Sequence, residues 1–295
     1  DYINFTGVTN GLLLERHFSD DGAGTFVKPD PDNPDGPPLT SDVGGGNAPN
    51  GSVGAFRDIG IQVFDTFKVD NWEHSYAVMY GNGNGIARGD NDDNKDIHLY
   101  WSSEQVYGGK GGRRQGWKLF AWNQDGKRTI TTAGTGPAEE FDRTRTGLGT
   151  TFRKGKIRAA FEYITADGMI FNGTDGAATP GSKSNDPSAT TASFNVETEG
   201  EADGWYAHFG YAVMPKLELD IRYDTYNRMT DVAKKERKFD TVTVGAQYFF
   251  NKKSRATLNY EFRESEAPNL PSGHNANLIA DGLDDRLSLQ LITIF

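Results

Sequence analysis

The chain has 295 residues, no cysteine, 36 glycines and a formal charge of −10. Zero cysteine excludes a disulfide scaffold and any cysteine-ligated zinc or iron–sulfur site. The acidic balance argues against a nucleic-acid partner, which needs a basic footprint. Mean hydropathy is −0.64, and no apolar run approaches the ~18 residues of a spanning helix. Two β-rich classes are compatible with this: a soluble protein with many turns, and a transmembrane barrel in which only one face of each strand is apolar. No leader segment is visible at Asp1, which fits a mature form, a fragment or a cytosolic protein.

In chain order, residues 1–18 hold one or two strands with no clear register around Leu12, Leu13 and Leu14. A long polar loop follows over 19–57. From there, alternation predicts strands at about 58–68, 74–83, 96–107, 116–125 and 142–153. Ile157, Ala159, Phe161 and Tyr163 then alternate with Lys156, Arg158, Ala160 and Glu162. The same period of two runs through Trp205–Val213, Leu217–Tyr223, Val242–Phe250 and Ala256–Phe262. It ends in Leu287, Leu289, Leu291, Thr293 and Phe295, which share a face opposite Arg286, Ser288 and Gln290. No segment of comparable length has a 3.6-residue apolar period.

The connections alternate as strictly as the side chains. Short turns are predicted at 69–73, 154–155, 214–215 and 251–253, with a glycine-rich one at 108–115. Long polar loops are predicted at 19–57, 84–95, 126–141, 167–203, 229–237 and 265–284. Outer-membrane barrels show this asymmetry, with short periplasmic turns and long extracellular loops. Phe67, Phe152, Phe250 and Phe295 fall at the inferred periplasmic strand ends, and Tyr163, Trp205 and Phe262 near the outer ends, as interfacial girdles require. The expected fold is therefore all-β: a single antiparallel transmembrane β-barrel over 1–295, in the outer membrane of a bacterium. Twelve strands are readable when one is counted from 1–18. They make either a complete small barrel with both termini periplasmic or the C-terminal part of a larger one. Asp65 departs from the pattern by falling on the apolar face, which suits a level below the hydrocarbon band or a contact between subunits.

Charge sorted by face carries the functional signal. The inferred inner basic residues are Lys68, Lys118, Arg143, Arg145, Arg153, Lys156, Arg158, Lys216, Arg222, Arg255, Arg263 and Arg286. The inferred inner acidic residues are Asp58, Asp96, Glu104, Glu162, Glu218, Asp220, Asp224 and Glu261. Charges are affordable in a wet lumen, and a basic excess there favours anions; pairing across strands is the alternative. Arg143, Arg145 and Arg158, with Arg153 and Lys156, form the densest basic set. The expected function is passive diffusion of small hydrophilic solutes, anionic or neutral, narrowed by whichever of loops 19–57 and 167–203 enters the lumen. Phe64, Tyr100, Phe120, Trp122 and Tyr206 also face inward. They serve either as a stacking track or as packing for a protein partner such as a cytochrome or an export component. An enzyme is not expected. Gly81–Gly85 lacks the Lys-Ser/Thr pair of a phosphate loop and reads as a hairpin. Asp90–Asp96 lacks an EF-hand's glycine and distal glutamate, and suits loose bridging to lipopolysaccharide. His17, His74, His98, His208 and His274 have no metal-ligand spacing, so no metal, cofactor or catalytic residue is assigned.

Several segments resemble the phosphate-selective porin O and P family. Arg57-Asp58-Ile59-Gly60-Ile61 is similar to its strand opening, Tyr80–Ile86 to its NGNG strand end, and Asp90–Asp96 to its acidic loop and next strand start. The likeness covers about 57–125 and is diffuse beyond. It implies passive, often trimeric, 16-stranded channels, some of them selective for anions.

Overall fold

A strand whose alternate side chains suit two different solvents has one way to satisfy its backbone in lipid, which is to pair on both edges. The computed structural model describes residues 41–42, 58–83, 93–109, 114–131, 138–171, 196–197, 199–274, 276–277 and 285–293. Its elements are β1 (Ser41–Asp42), β2 (Gly60–Val69), β3 (Trp72–Gly81), β4 (Asp96–Gly108), β5 (Gln115–Thr131), β6 (Ala138–Lys154), β7 (Ile157–Asp167), β8 (Ile170–Phe171), β9 (Val196–Glu197), β10 (Glu201–Met214), β11 (Leu217–Arg228), β12 (Arg237–Phe249), β13 (Ser254–Glu266) and β14 (Arg286–Thr293). The eleven long strands form one antiparallel meander from β2 to β14. They match the eleven expected from residue 58 onward. The strand expected within 1–18 lies outside the described residues, as do most of loop 19–57 and residues 172–195. No helix among the described residues is long and apolar enough to cross a membrane.

The short connections have local causes. Asp70 adopts φ 55° in the turn after β2, a left-handed conformation that Asp tolerates. Gly155 does the same at φ 58° between β6 and β7. Asn251 Oδ1 accepts from the backbone N–H of Lys253 and Ser254 at 2.7 and 2.9 Å, which closes the β12–β13 turn. β5 runs to Thr131 and β6 begins at Ala138, both inside the expected 126–141 loop. Both strands run on past the apolar band, where Asp125, Lys127, Glu140 and Asp142 point outward. Polar residues on both faces erase the alternation there, so the sequence pattern stops before the strand does. Ion pairs from Lys127 to Glu140 (3.7 Å) and Asp142 (3.8 Å) fasten this extension. β1 pairs with β5 beyond the end of β4, Ser41 opposite Thr131.

Register places the two faces. One row runs Val69, Trp72, Gln105, Trp117, Phe152, Ala159, Phe209, Ile221, Val244, Tyr260, Leu287. Most of its large apolar members are exposed, Trp72 and Phe152 being half-buried, and Leu289 and Leu291 beyond it are 68% and 71% exposed. An apolar face this large and uncovered is a surface for lipid. Aromatic contacts gather at its lower edge: Phe67 with His74 and Trp101, Trp72 with Trp117, Tyr107 with Phe152 and Tyr248 with Phe250. Replacing Leu289 or Val244 by Arg is expected to cost about 2–4 kcal/mol at midplane depth. Ser288→Arg, on the other face, costs far less. A refolding titration into lipid vesicles measures both.

Candidate functional site: the inner wall

The opposite face is continuous, polar and charged. A single register row crosses all eleven long strands: Lys68, Glu73, Glu104, Lys118, Thr151, Ala160, His208, Arg222, Thr243, Glu261, Arg286. Its carboxylates are held. Arg114, in the turn before β5, reaches Glu73 at 2.6 Å and Glu104 at 3.2 Å. Its pKa is raised, chiefly by the bond to Glu73. Arg286 grips Glu261 through two bonds of 2.9 and 3.0 Å.

One strand position lower, a buried cluster centres on Asp220. Its Oδ1 pairs with Arg158 and with His208 Nε2 at 3.0 Å, and its Oδ2 accepts from Gln247 at 3.0 Å. Arg158 also meets Glu218 at 2.9 Å, and Arg255 donates to Gln247 Oε1 at 3.1 Å. Gly210 sits in the middle. A Cβ there would stand 2.4 Å from Asp220 Oδ1, so glycine makes the space that the charges fill. Above, Arg222 lies 3.9 Å from the Tyr206 ring centre and 3.4 Å from Asp224. Glu162 accepts from Trp122 Nε1 at 2.9 Å.

At the outer end, Arg145 is fully buried. Its guanidinium donates to the carbonyls of Thr144, Asp167, Gly168 and Met169 at 2.8–3.1 Å. This captures the root of the β7–β10 connection. Gly168 and Met169 take φ 66° and 51° and turn the chain to the inner side. There Met169 and Ile170 are buried, and Ile170 packs with Ile164, Ala166, Ala202, Tyr206, Tyr226 and Met229. Of the two loops expected to narrow the lumen, 167–203 has its root inside the wall. Loop 19–57 falls almost wholly outside the described residues.

The inner residues read from alternation thus have distinct surroundings. Arg158, Glu218, Asp220, Arg222, Asp224, Glu261 and Arg286 are paired with one another or with wall groups. Arg143 stands 3.8 Å from Asp96, and Arg153 opposes Arg158 in register. Arg143, Arg145 and Arg158, expected as one exposed basic set, are instead engaged separately as fasteners of the wall. Arg263 opposes Thr241, with its own N–H on Asp285 at 3.1 Å. Lys156 is an exposed turn residue whose ammonium leans to 5.8 Å from the outward ring of Tyr211, so it belongs to the rim. Glu73, Arg228 and Arg237 were missed. Glu73 reads as turn, and the two arginines lie where β11 and β12 pass beyond the apolar band and lose their alternation. Arg237 donates to the carbonyls of Lys234 and Glu236. Among the described residues no His/Asp/Glu group is arranged to hold a metal ion.

An antiparallel wall with an apolar outside, a charged inside and short and long connections in alternation is that of a transmembrane β-barrel, which places the chain in an outer membrane. No family model and no curated protein matches it. Solved structures do. OmpT, an outer membrane protein of Vibrio cholerae, aligns at 15% identity and TM-score 0.40 over 69% of this chain and 53% of its own. A loop-deletion mutant of the same protein aligns at 15% and 0.41, over 70% and 57%. An anion-selective porin from Comamonas acidovorans aligns at 13% and 0.40, over 70% and 49%. The chain thus spans about half the length of these proteins.

Asp220→Ala would leave Arg158, His208 and Gln247 facing an empty site. Loss of a buried charged partner costs about 3–5 kcal/mol, and Asp220→Asn, which keeps an acceptor, costs less. Midpoints of urea-driven release from lipid vesicles rank the three proteins.

Proposed function

We propose that the chain forms the wall of a porin through which small hydrophilic solutes diffuse passively, with a modest preference for anions. The observation that supports this best is the row from Lys68 to Arg286, polar on every strand but β7, set against an apolar outside. Such a face needs water, and in a barrel that water is the lumen. The root of loop 167–203, where Arg145 holds the carbonyls of Gly168 and Met169, supports a narrowing role for that loop. The motifs at 57–96 favour a relation to the phosphate-selective porin O and P family. An enzymatic role is not part of this reading.

The anion preference has a different origin from the one the sequence suggests. Arg143, Arg145 and Arg158 are spent on the wall. Lys118, by contrast, makes no ion pair within 4.0 Å among the described residues; its ammonium lies over the Phe120 ring, 5.5 Å from the centre, within electrostatic reach of Glu162. In a planar bilayer with a KCl gradient, the protein is expected to conduct and to give a reversal potential of anion-selective sign. That preference fades toward 1 M salt, where the Debye length is ~3 Å. Lys118→Glu moves the potential toward cations with folding intact, whereas Arg145→Glu or Arg158→Glu lowers the folded fraction. A channel that prefers cations at low salt overturns the anion preference.

Outside, polar groups interrupt the apolar face of β2–β4. Asp65 is exposed there, and His74 Nδ1 and Trp101 Nε1 both bond Ser103 Oγ, at 2.9 and 3.1 Å. This suits contact between copies of the chain, as in a homotrimer. Asp65→Lys is then expected to shift the detergent-solubilised mass toward monomer, read by light scattering. On β6, β7 and β10, Thr146, Thr165, Asp167 and Asp203 line a depression of about 330 Å3 above Tyr163, at the level of lipopolysaccharide headgroups.

A further inference from the structure

The two ends of the outer face carry opposite charge. Past the apolar band on the long-loop side, Asp125, Asp142, Asp167, Asp203, Asp240 and Glu264 point outward. The bases beside them, Lys127 and Lys238, are held in ion pairs with Glu140, Asp142, Asp240 and Glu266. On the short-turn side the sign reverses. The turns β6–β7, β10–β11 and β12–β13 carry Lys154, Lys156, Lys216, Lys252 and Lys253, all exposed. These three turns contain no carboxylate, and none of the five lysines makes an ion pair among the described residues.

Local contacts set the ammonium groups at the edge of the lipid face. Lys154 shares the outward side of β6 with Phe152, and its Nζ lies 5.3 Å from the centre of the exposed Tyr107 ring. Lys156 leans to 5.8 Å from the Tyr211 ring. Lys216 Nζ donates to the carbonyl of Phe250 at 3.3 Å, beside the Tyr248–Phe250 ring pair. Apolar stems thus lie along the rim while the charged heads stay in water. Met214 and Phe250, 61% and 51% exposed, carry the apolar face up to the charges. The six strands joined by these turns are consecutive neighbours in the sheet. Paired strands lie ~4.8 Å apart, so successive turns recur roughly every 10 Å along the rim.

We infer that the periplasmic rim from β6 to β13 is a docking surface for anionic phospholipid of the phosphatidylglycerol type. The acyl chains lie on the apolar face, and the phosphodiesters sit among the lysines of the three turns. The occupant follows from continuity and charge: one molecule covers the hydrocarbon-facing surface and reaches the unpaired ammonium groups at its edge. A free anion has no such second attachment, and separate, strongly hydrated lysines hold it weakly. The inference rests on the barrel and the direction of its turns, and it stands whether or not the lumen conducts. One lysine at an anionic lipid surface is worth about fivefold in binding, so a lipid that meets one or two of them is preferred over a zwitterionic one by about tenfold.

The test uses the purified full chain in detergent with equal amounts of phosphatidylglycerol and deuterated phosphatidylcholine, the bound lipids being counted by native mass spectrometry. About a tenfold excess of bound phosphatidylglycerol is expected at low salt. It shrinks between ~0.01 M and ~0.15 M salt, as the Debye length falls from about 30 to about 8 Å. Changing Lys154, Lys156, Lys216, Lys252 and Lys253 together to Gln removes the preference, while circular dichroism shows the strands retained. Variants of one turn at a time each remove part of it, and they carry the test if the combined variant does not refold. Lys127→Gln with Lys238→Gln, at the other end, leaves it unchanged. Equal binding of the two lipids by the unaltered chain overturns the inference. So does a preference that survives the combined change or is lost in the Lys127 and Lys238 variant. Displacement of the bound lipid by inorganic phosphate alone also overturns it, since that marks a site for free anions.

Discussion

Everything in this fold follows from the need to satisfy backbone hydrogen bonds inside lipid. A strand can do so only by pairing on both sides, and a paired strand presents its side chains alternately to two environments. Once one environment is hydrocarbon and the other water, every second residue is apolar, and the alternation found from Gly60 to Thr293 is the direct record of that sorting. It also explains why a chain with net charge −10 spans a membrane. The charge is carried by the loops and by the watered face, and the apolar residues are spread over eleven strands rather than gathered into one helix.

The inner face must also remain stable with many ionised side chains close together. It does so in two ways. Acid and base are interleaved along the register rows, so that Glu261 faces Arg286 and Asp220 collects Arg158, His208 and Gln247. Glycine is placed opposite the bulkiest groups, so that long side chains lie along the wall. Gly210 among the charges, and Gly147 and Gly149 beneath the rings, do the same mechanical work for different chemistry. The two halves of the wall then differ in composition: β11–β13 carry buried charges such as Asp220, Arg222 and Glu261, and β5 carries the rings of Phe120 and Trp122.

Arg145 shows how a charged residue can leave the electrostatic account and become structural. Four backbone carbonyls surround its guanidinium, two of them from Gly168 and Met169, which turn inward after β7. Met169 and Ile170 follow into the apolar cluster formed by Ile164, Tyr206 and Tyr226. An arginine and a greasy hook thus bring the root of a polar loop inside the wall.

Much of this was legible in the residues alone. Eleven strands, their direction, the side that each of Leu289, Val244, Phe209, Asp220 and Arg222 faces, and the alternation of short turns with long loops all follow from a period of two, because that period is imposed locally by the strand itself. Strand ends were not legible where both faces are polar, as on β5, β6, β11 and β12, since alternation needs two unlike solvents. Nor were the partners of each charge. Alternation says that Arg143, Arg145 and Arg158 point inward, but whether each meets a carboxylate, a carbonyl or water depends on register between strands and on a loop returning to the wall. Those are contacts between residues far apart in the chain. The seating of Trp122 over Gly147 and of Phe120 over Gly149 is of the same kind. Each residue is ordinary in its own segment, and only the pairing of β5 with β6 makes them neighbours.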